Sequence, residues 1–488
     1  MHPTQQAMFQ RRSTKKDQVC KNASDAKFRI HFPWNMNMFF LQRTALLLPF
    51  LLAPLGCSSF FSDSMLEDQE SNIFWILGSP EFNPTVTDLI SIDIDGDGLD
   101  DVVTDRHIFL GSSLHNRTEI QSSSADIVFT DVNYLPENTK NAGDIDGDGL
   151  DDVFVFGADP TVGVKGYLFL SSSLSTGTVL VETADIRFEE STHNDISACN
   201  MTSLGDIDGD GLGDIMISVP SAPGLTNPFG EMYYHTGRVY VFLGSQLING
   251  NLRYLEEAQY TLVGYEHTYI GEQLTTVNAA VLISASGSQH SWLNNTDCTG
   301  SRWITFADLL GLSPGVHHLK DVSTLITYPD DTGYCSIHSF SGVDFHGDGT
   351  ISPLLLDGAY TSDVHLGRFF TGGVRLSTEH GISHIFEGAA VSGRGDFDGD
   401  GQGDIWVSDG YSEKGNGYLF LSRSSWSTTE VIASEADMNW TGNSGYRLVP
   451  RVSFAGDLNS DGCDELAIAR KDKTTGVFDL GIVYGCLD

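Results

Sequence analysis

The chain has 488 residues, 40% hydrophobic and 19% charged, with 27 Lys and Arg against 65 Asp and Glu and a formal net charge of −38. Positions 1–43 hold eight basic residues and two acids, which leaves 19 basic against 63 acidic residues beyond them, a formal −44. That balance excludes electrostatic binding of nucleic acid, and seven cysteines without a Cys-x-x-Cys spacing give no zinc-cluster pattern.

From the N-terminus, residues 1–57 read as a leader. An 11-residue apolar run follows Arg43; it is short for a bilayer span and suits an export signal. The run ends in Gly56-Cys57, which resembles a bacterial lipoprotein signal in which Cys57 is lipidated and anchors the chain to a membrane. Pro54 and Leu55 depart from that pattern, so plain cleavage or an uncleaved anchor stays open. Residues 1–35 lack signal character, and Met36 or Met38 is the expected start. Residues 58–71, polar and acidic, read as a tether.

The expected folded domain runs from 72 to 488, opening with an apolar strand at residues 72–78. A nine-residue acidic loop then recurs. Its first full copy has Asp93, Asp95, Asp97 and Asp101 at positions 1, 3, 5 and 9; the second has Asp144, Asp146, Asp148 and Asp152; the third has Asp206, Asp208, Asp210 and Asp214. A worn copy keeps Asp344 and Asp348 but has His346 and Ser352 at positions 3 and 9. Two further full copies carry Asp396, Asp398, Asp400 and Asp404, then Asp457, Asn459, Asp461 and Glu465. Acidic side chains packed this closely repel one another unless a cation sits among them, and an all-oxygen donor set selects Ca2+. Position 7, occupied by Leu99, Leu150, Leu212, Thr350, Gln402 and Cys463, needs only to offer its carbonyl. Five copies have a full donor set; the worn copy is the doubtful sixth site.

An EF-hand shares this opening spacing but needs a glutamate at position 12 and helices on both flanks. Here position 12 is Thr104, Val155, Ile217, Leu355, Val407 or Ile468, and strand-like sequence follows each acid at position 9. EF-hands are excluded.

First positions are separated by 51, 62, 138, 52 and 61 residues. The long gap is two periods, and residues 264–285 within it keep the strand pattern while lacking an acidic loop between Asn278 and Val281. Seven units result, each with strands after its loop: 166–171, 237–244 and 417–422 begin with glycine, and outer strands begin at Ala125, Ala184 and Ala436. Short strands at this period predict an all-β radial array, a seven-bladed β-propeller. The last unit has no outer strand after residue 485, so the strand at 72–78 is expected to complete it and close the ring.

These loops, the glycines that precede four of them (Gly143, Gly205, Gly395, Gly456) and the strands that follow resemble the FG-GAP repeats of the integrin α-subunit propeller and its bacterial relatives, over residues 72–488. Ile92 and Val343 replace the entry glycine elsewhere. The resemblance implies calcium loops on one face and ligand binding on the other. Carried to this chain, the binding face holds Tyr134, Phe229, Tyr233, Tyr234, Tyr265, Tyr269, Trp440 and Tyr446, aromatics that suit protein or polysaccharide ligands.

Among the cysteines of the exported part, Cys463 and Cys486 fall opposite each other in the last hairpin and are expected to pair. Cys298 and Cys335 are expected to pair across the insertion of the fourth unit, leaving Cys199 over. The chain has no Gly-x-Ser-x-Gly elbow and no His-Glu-x-x-His motif. His317, His318, Asp330 and Asp331 read as a solvated loop. The expectation is a non-enzymatic, calcium-binding adhesion or binding propeller, in a bacterial envelope or secreted; the alternative is a polysaccharide lyase or hydrolase built on the same propeller.

Overall fold

The computed structural model describes residues 73–80, 82, 92–114, 117–130, 138–159, 163–189, 200–223, 236–248, 250–264, 268–285, 302–325, 337–344, 351–357, 363–366, 374–377, 390–409, 414–422, 430–432 and 436–486. All belong to one compact unit spanning 62–488. The leader, the tether, Cys57, Cys298 and Cys335 lie outside the described residues.

The fold is an all-β propeller built from antiparallel meanders. The third sheet shows the plan: Asn200–Gly205, Asp214–Val219, Arg238–Phe242 and Tyr260–Val263 pair in that order. Every residue of Asp214–Val219 is buried, because this strand is covered on both faces and its apolar run is nearly continuous. The outer strands Ile127–Thr130 and Ile186–Glu189 bury one face and alternate, with Ile127, Phe129, Ile186 and Phe188 inward, whereas the outer strand Tyr260–Val263 is buried throughout.

The sequence implies seven blades, whereas six complete four-stranded blades occur among the described residues. They begin at Asn138–Gly143, Asn200–Gly205, Ile270–Val277, Ile337–Val343, Ala390–Gly395 and Tyr446–Gly456. The sheet of the first acidic loop contributes three strands of its own, Val102–Val103, His107–Phe109 and Ile127–Thr130. Residues 83–91, where its innermost strand is expected, are outside those described.

Ile73–Leu77 runs antiparallel to Phe478–Val483 and supplies the outer strand of the last blade. A strand from the beginning of the chain therefore completes the sheet formed by its end. In five of the seven sheets the outer strand is further covered, among the described residues, by a short parallel strand from the next repeat, as where Ile127–Thr130 meets Gly177–Leu180 and Ile186–Glu189 meets Leu252–Tyr254. Pairing of this kind removes open edges that could recruit another chain.

The core lies between successive sheets. Phe154, Leu168 and Phe188 of one blade pack with Ile215, Ile217, Tyr240 and Phe242 of the next; Met216, Val239 and Leu262 then meet Leu274, Val281 and Ile283. Glycine within the third strand has a steric cause: a Cβ on Gly166 would lie 2.4 Å from Phe154, and one on Gly417 would lie 2.2 Å from Trp406. The missing side chain makes room for an aromatic ring on the neighbouring strand.

Candidate metal centres

In the second, third, sixth and last sheets the acidic loop joins the first two strands of its blade. The third occupies residues 206–213 between Asn200–Gly205 and Asp214–Val219, and the sixth sheet repeats this between Ala390–Gly395 and Asp404–Asp409. The turn needs left-handed backbone at positions 4 and 6: φ is +79° at Gly147 and +92° at Gly149, and a Cβ on Gly147 would also approach the Gly211 carbonyl to 2.7 Å. Ser460 takes position 4 of the last loop at φ +58°.

The five full copies share one hydrogen-bond pattern. The position-6 amide donates to a position-1 carboxylate oxygen at 2.9 Å in the first three loops, 2.7 Å at Asp396 and 3.0 Å at Asp457. The position-5 amide donates to the other oxygen of the same group, and the position-7 amide donates to position 5. Backbone thus wraps a cluster of carboxylates before any ion is considered.

Position 9 is an anchor. One oxygen of Asp101, Asp152, Asp214 and Asp404 accepts from the position-2 amide of its own loop, and the other from the amide of Gly111, Ser171, Gly244 or Ser422 just beyond the third strand, at 2.7–2.8 Å throughout. These carboxylates and Glu465 are at most 1% exposed. Burial, augmented by neighbouring acids, pushes Asp101, Asp152 and Asp404 up to about 7, Asp214 to about 6 and Glu465 to about 8, although backbone amides pull the other way. Burial followed by repulsion from position 5 also raises Asp95, Asp146 and Asp398.

The donor chemistry fits a hard divalent cation. Carboxylate oxygens of Asp93, Asp95 and Asp101 lie within 4.8 Å of one another, as do those of Asp144, Asp146 and Asp152, of Asp206, Asp208 and Asp210, and of Asp396, Asp398 and Asp404. Asp97, Asp148, Asp400, Asp461 and the carbonyls of Leu99, Leu150, Leu212, Gln402 and Cys463 belong to the same loops. Asn459 donates to Asp461 and Glu465 in the last one. Of the worn copy, Asp344 is described, and Asp348 and Thr350 are not.

Residues 202–242, which hold the third loop with the strands on both sides of it, match the FG-GAP repeat family model. This stretch is an FG-GAP repeat. No curated protein matches the chain. Among solved structures, the repeats are similar to the exotype rhamnogalacturonan lyase YesX, at 12% identity, 71% of each chain covered and a TM-score of 0.32.

A disulfide joins Cys463, position 7 of the last loop, to Cys486, with Cα atoms 5.8 Å apart. It leaves the Cys463 carbonyl unmodified and lies against the loop of the sixth sheet, where a Cβ on Gly399 would meet the Cys463 sulfur at 2.7 Å. Trp440 belongs to the core and not to a binding face: it is fully buried, with its ring centroid 5.2 Å from that of Trp406. Tyr446 packs under the Arg470 guanidinium at 4.2 Å. Tyr269 is partly buried at φ +46°. Tyr134, Phe229, Tyr233, Tyr234, Tyr265, Asp330 and Asp331 are outside the described residues. His317 and His318 lie on Gly315–His318, a strand paired with Tyr260–Val263, and His317 Nε2 is 2.8 Å from the Ser313 carbonyl.

Sequence reasoning missed a buried polar group in the hairpin after the first loop. Asp105 Oδ1 accepts from Thr104 Oγ1 and lies 3.1 Å from His107 Nδ1, while Thr139 Oγ1 donates to the Asp105 carbonyl. Phe82 packs edge-on against the His107 ring and Phe109 stacks on it. The pair is not recognisable in sequence because Asp and His two residues apart are ordinary in a turn; the rings of Phe82 and Phe109 that pack on His107 are what the pattern does not announce.

Proposed function

We propose that this FG-GAP protein is a calcium-stabilised, seven-bladed propeller, exported and tethered through Cys57 to a bacterial envelope, that binds a protein or polysaccharide and is not an enzyme. The observation that carries the calcium reading is the buried position-9 carboxylate, present in five loops with the same position-2 amide donating to it and more acids facing it. Positions 1, 3, 5 and 9 with the position-7 carbonyl would hold the ion. Calcium would supply the charge that lets these carboxylates ionise together. The loops would then act as rigid hinges between strands, keeping the opposite ends of the blades in a fixed arrangement for recognition.

The residues nearest to a catalytic arrangement, Asp105 and His107, are 7% and 5% exposed and covered by aromatic rings. That enclosure supports a structural role. A strongly acidic surface would also repel the uronate polymers that lyases cleave.

Metal analysis of the purified protein, with melting in calcium and in EGTA, tests the metal reading. About one ion per full loop and a large fall in Tm are expected; a metal-free protein whose melting ignores chelator would refute it. Binding to an array of envelope polysaccharides tests recognition, and release of unsaturated products from uronate polymers would establish the lyase instead.

A further inference from the structure

Neighbouring acidic loops are connected by a contact that the expected ligand set does not use. Position 8 of one loop meets position 1 of the loop in the preceding blade. The position-8 amide donates to the position-1 carbonyl from Gly213 to Asp144 at 2.8 Å, Gly403 to Asp344 at 2.6 Å, Asp464 to Asp396 at 2.8 Å and Asp100 to Asp457 at 3.2 Å. In the last two pairs position 8 is an aspartate, and its carboxylate completes the contact in reverse. Asp464 Oδ2 accepts from the Asp396 amide at 2.7 Å, and Asp100 Oδ2 from the Asp457 amide at 2.8 Å.

The blade without an acidic loop keeps the same junction by another route. Asn278 turns its strand pair at φ +50°, and its side-chain amide both accepts from and donates to the backbone of Ile351, position 8 of the next unit, at 2.9 and 2.7 Å. A contact retained after loss of the acids has a mechanical role of its own.

We propose that Asp464 and Asp100 are positioning residues that couple the calcium loops of the sixth, last and first sheets, so that these three sites fill cooperatively. The proposal rests on the calcium reading above. Position 1 is the pivot of each loop, since its carboxylate gathers the amides of positions 5 and 6. When the loop at Asp396 orders around an ion, both backbone groups of Asp396 become fixed targets for Asp464. Asp464 adjoins Glu465, the position-9 acid of the following loop. The same relay runs from Asp457 through Asp100 to Asp101. Ordering one loop thereby removes part of the entropy cost of ordering the next. The Asp144–Gly213 junction has no carboxylate at position 8, and the second and third sites are expected to fill outside the cooperative set.

The test is a calcium isotherm on the purified protein by equilibrium dialysis, with hydrogen exchange of residues 396–404 and 457–465 at partial saturation. Wild type is expected to show a steep component with a Hill coefficient of about 2. Asp464→Ala should lower that coefficient to about 1 and weaken the coupled sites by about tenfold. It should also separate the protection of the two loops, which wild type gains together. Asp464→Asn, which retains an acceptor oxygen, should keep most of the coupling. Asp151→Ala is the control, because the Asp151 carboxylate accepts from Asn141 within its own blade. Asp100→Ala tests the second junction independently should Asp464→Ala not fold. No calcium bound by wild type would refute the calcium reading and the coupling with it. Calcium bound with independent isotherms, or steepness unaffected by both alanine variants, would overturn the coupling alone.

Discussion

Asp404 offers a sharp test because its sign should reverse with metal. Its carboxyl is fully buried and pushed from 3.8 up to about 7, chiefly by desolvation. A carboxyl whose value is higher in the folded than in the unfolded chain stabilises the fold while protonated. That stability is complete below about 4 and is lost as pH rises through about 7. The whole span is worth about 4 kcal/mol for this group, of which about 2.5 kcal/mol falls between pH 5 and 8. Metal-free protein should therefore melt higher at pH 5 than at pH 8, whereas saturating calcium should abolish or invert the slope. Asp404→Asn removes the buried charge but leaves one of two amides, from Phe397 or Ser422, without its acceptor, at a cost of about 1–3 kcal/mol. In EGTA at pH 8 the two effects nearly cancel or favour the variant. In calcium the variant should be clearly less stable. Urea titrations of both proteins at pH 5 and 8, with and without calcium, measure all the terms, and 0.5 M NaCl screens general repulsion. A metal-free wild type that gains stability from pH 5 to 8, or an Asp404→Asn variant equally destabilised in EGTA and calcium, would refute the reasoning.

Three other perturbations probe the fold. Cys463→Ser removes a crosslink between residues 23 apart and should cost about 3 kcal/mol, read as a lower urea midpoint that reductant reproduces in wild type. Trp406→Ala should cost about 3–5 kcal/mol by emptying the packing against Trp440 and Gly417, measured by chemical denaturation; an unchanged midpoint would contradict the core assignment. Deleting the chain through Leu77 leaves Phe478–Val483 as an open edge, and size-exclusion chromatography should then show association or aggregation instead of the wild-type species.

The parts of the fold legible in sequence repeat a local rule. Acids at alternate positions, glycine where φ must be positive and an apolar run after position 9 each act within a few residues, so Asp206 and Gly211 announce the loop without knowledge of its neighbours. The closing strand was legible for a different reason: the last repeat lacks an element, and Ile73–Leu77 has the composition to supply it. What pattern could not reveal was which side chains turn inward across a blade boundary. Trp440 sits where the family resemblance puts a binding aromatic, yet packing against Trp406 buries it. Asp100 and Asp464 look like surplus acids beside position 9, yet each carboxylate accepts from a backbone amide of the adjacent loop. The doubled acid at positions 8 and 9 was nevertheless a usable signal. Asp100, Asp151 and Asp464 carry it, whereas Gly213 and Gly403 do not. A side chain that was merely contributing surface charge would not need the preceding blade's amide. Two of these three have it, at the junctions on either side of the last blade, where the ring joins the end of the chain to its beginning. The repeats whose neighbours are adjacent in sequence can form their junctions as the chain is followed outward. The last one must find a partner 357 positions away, and there the contact is made in both directions.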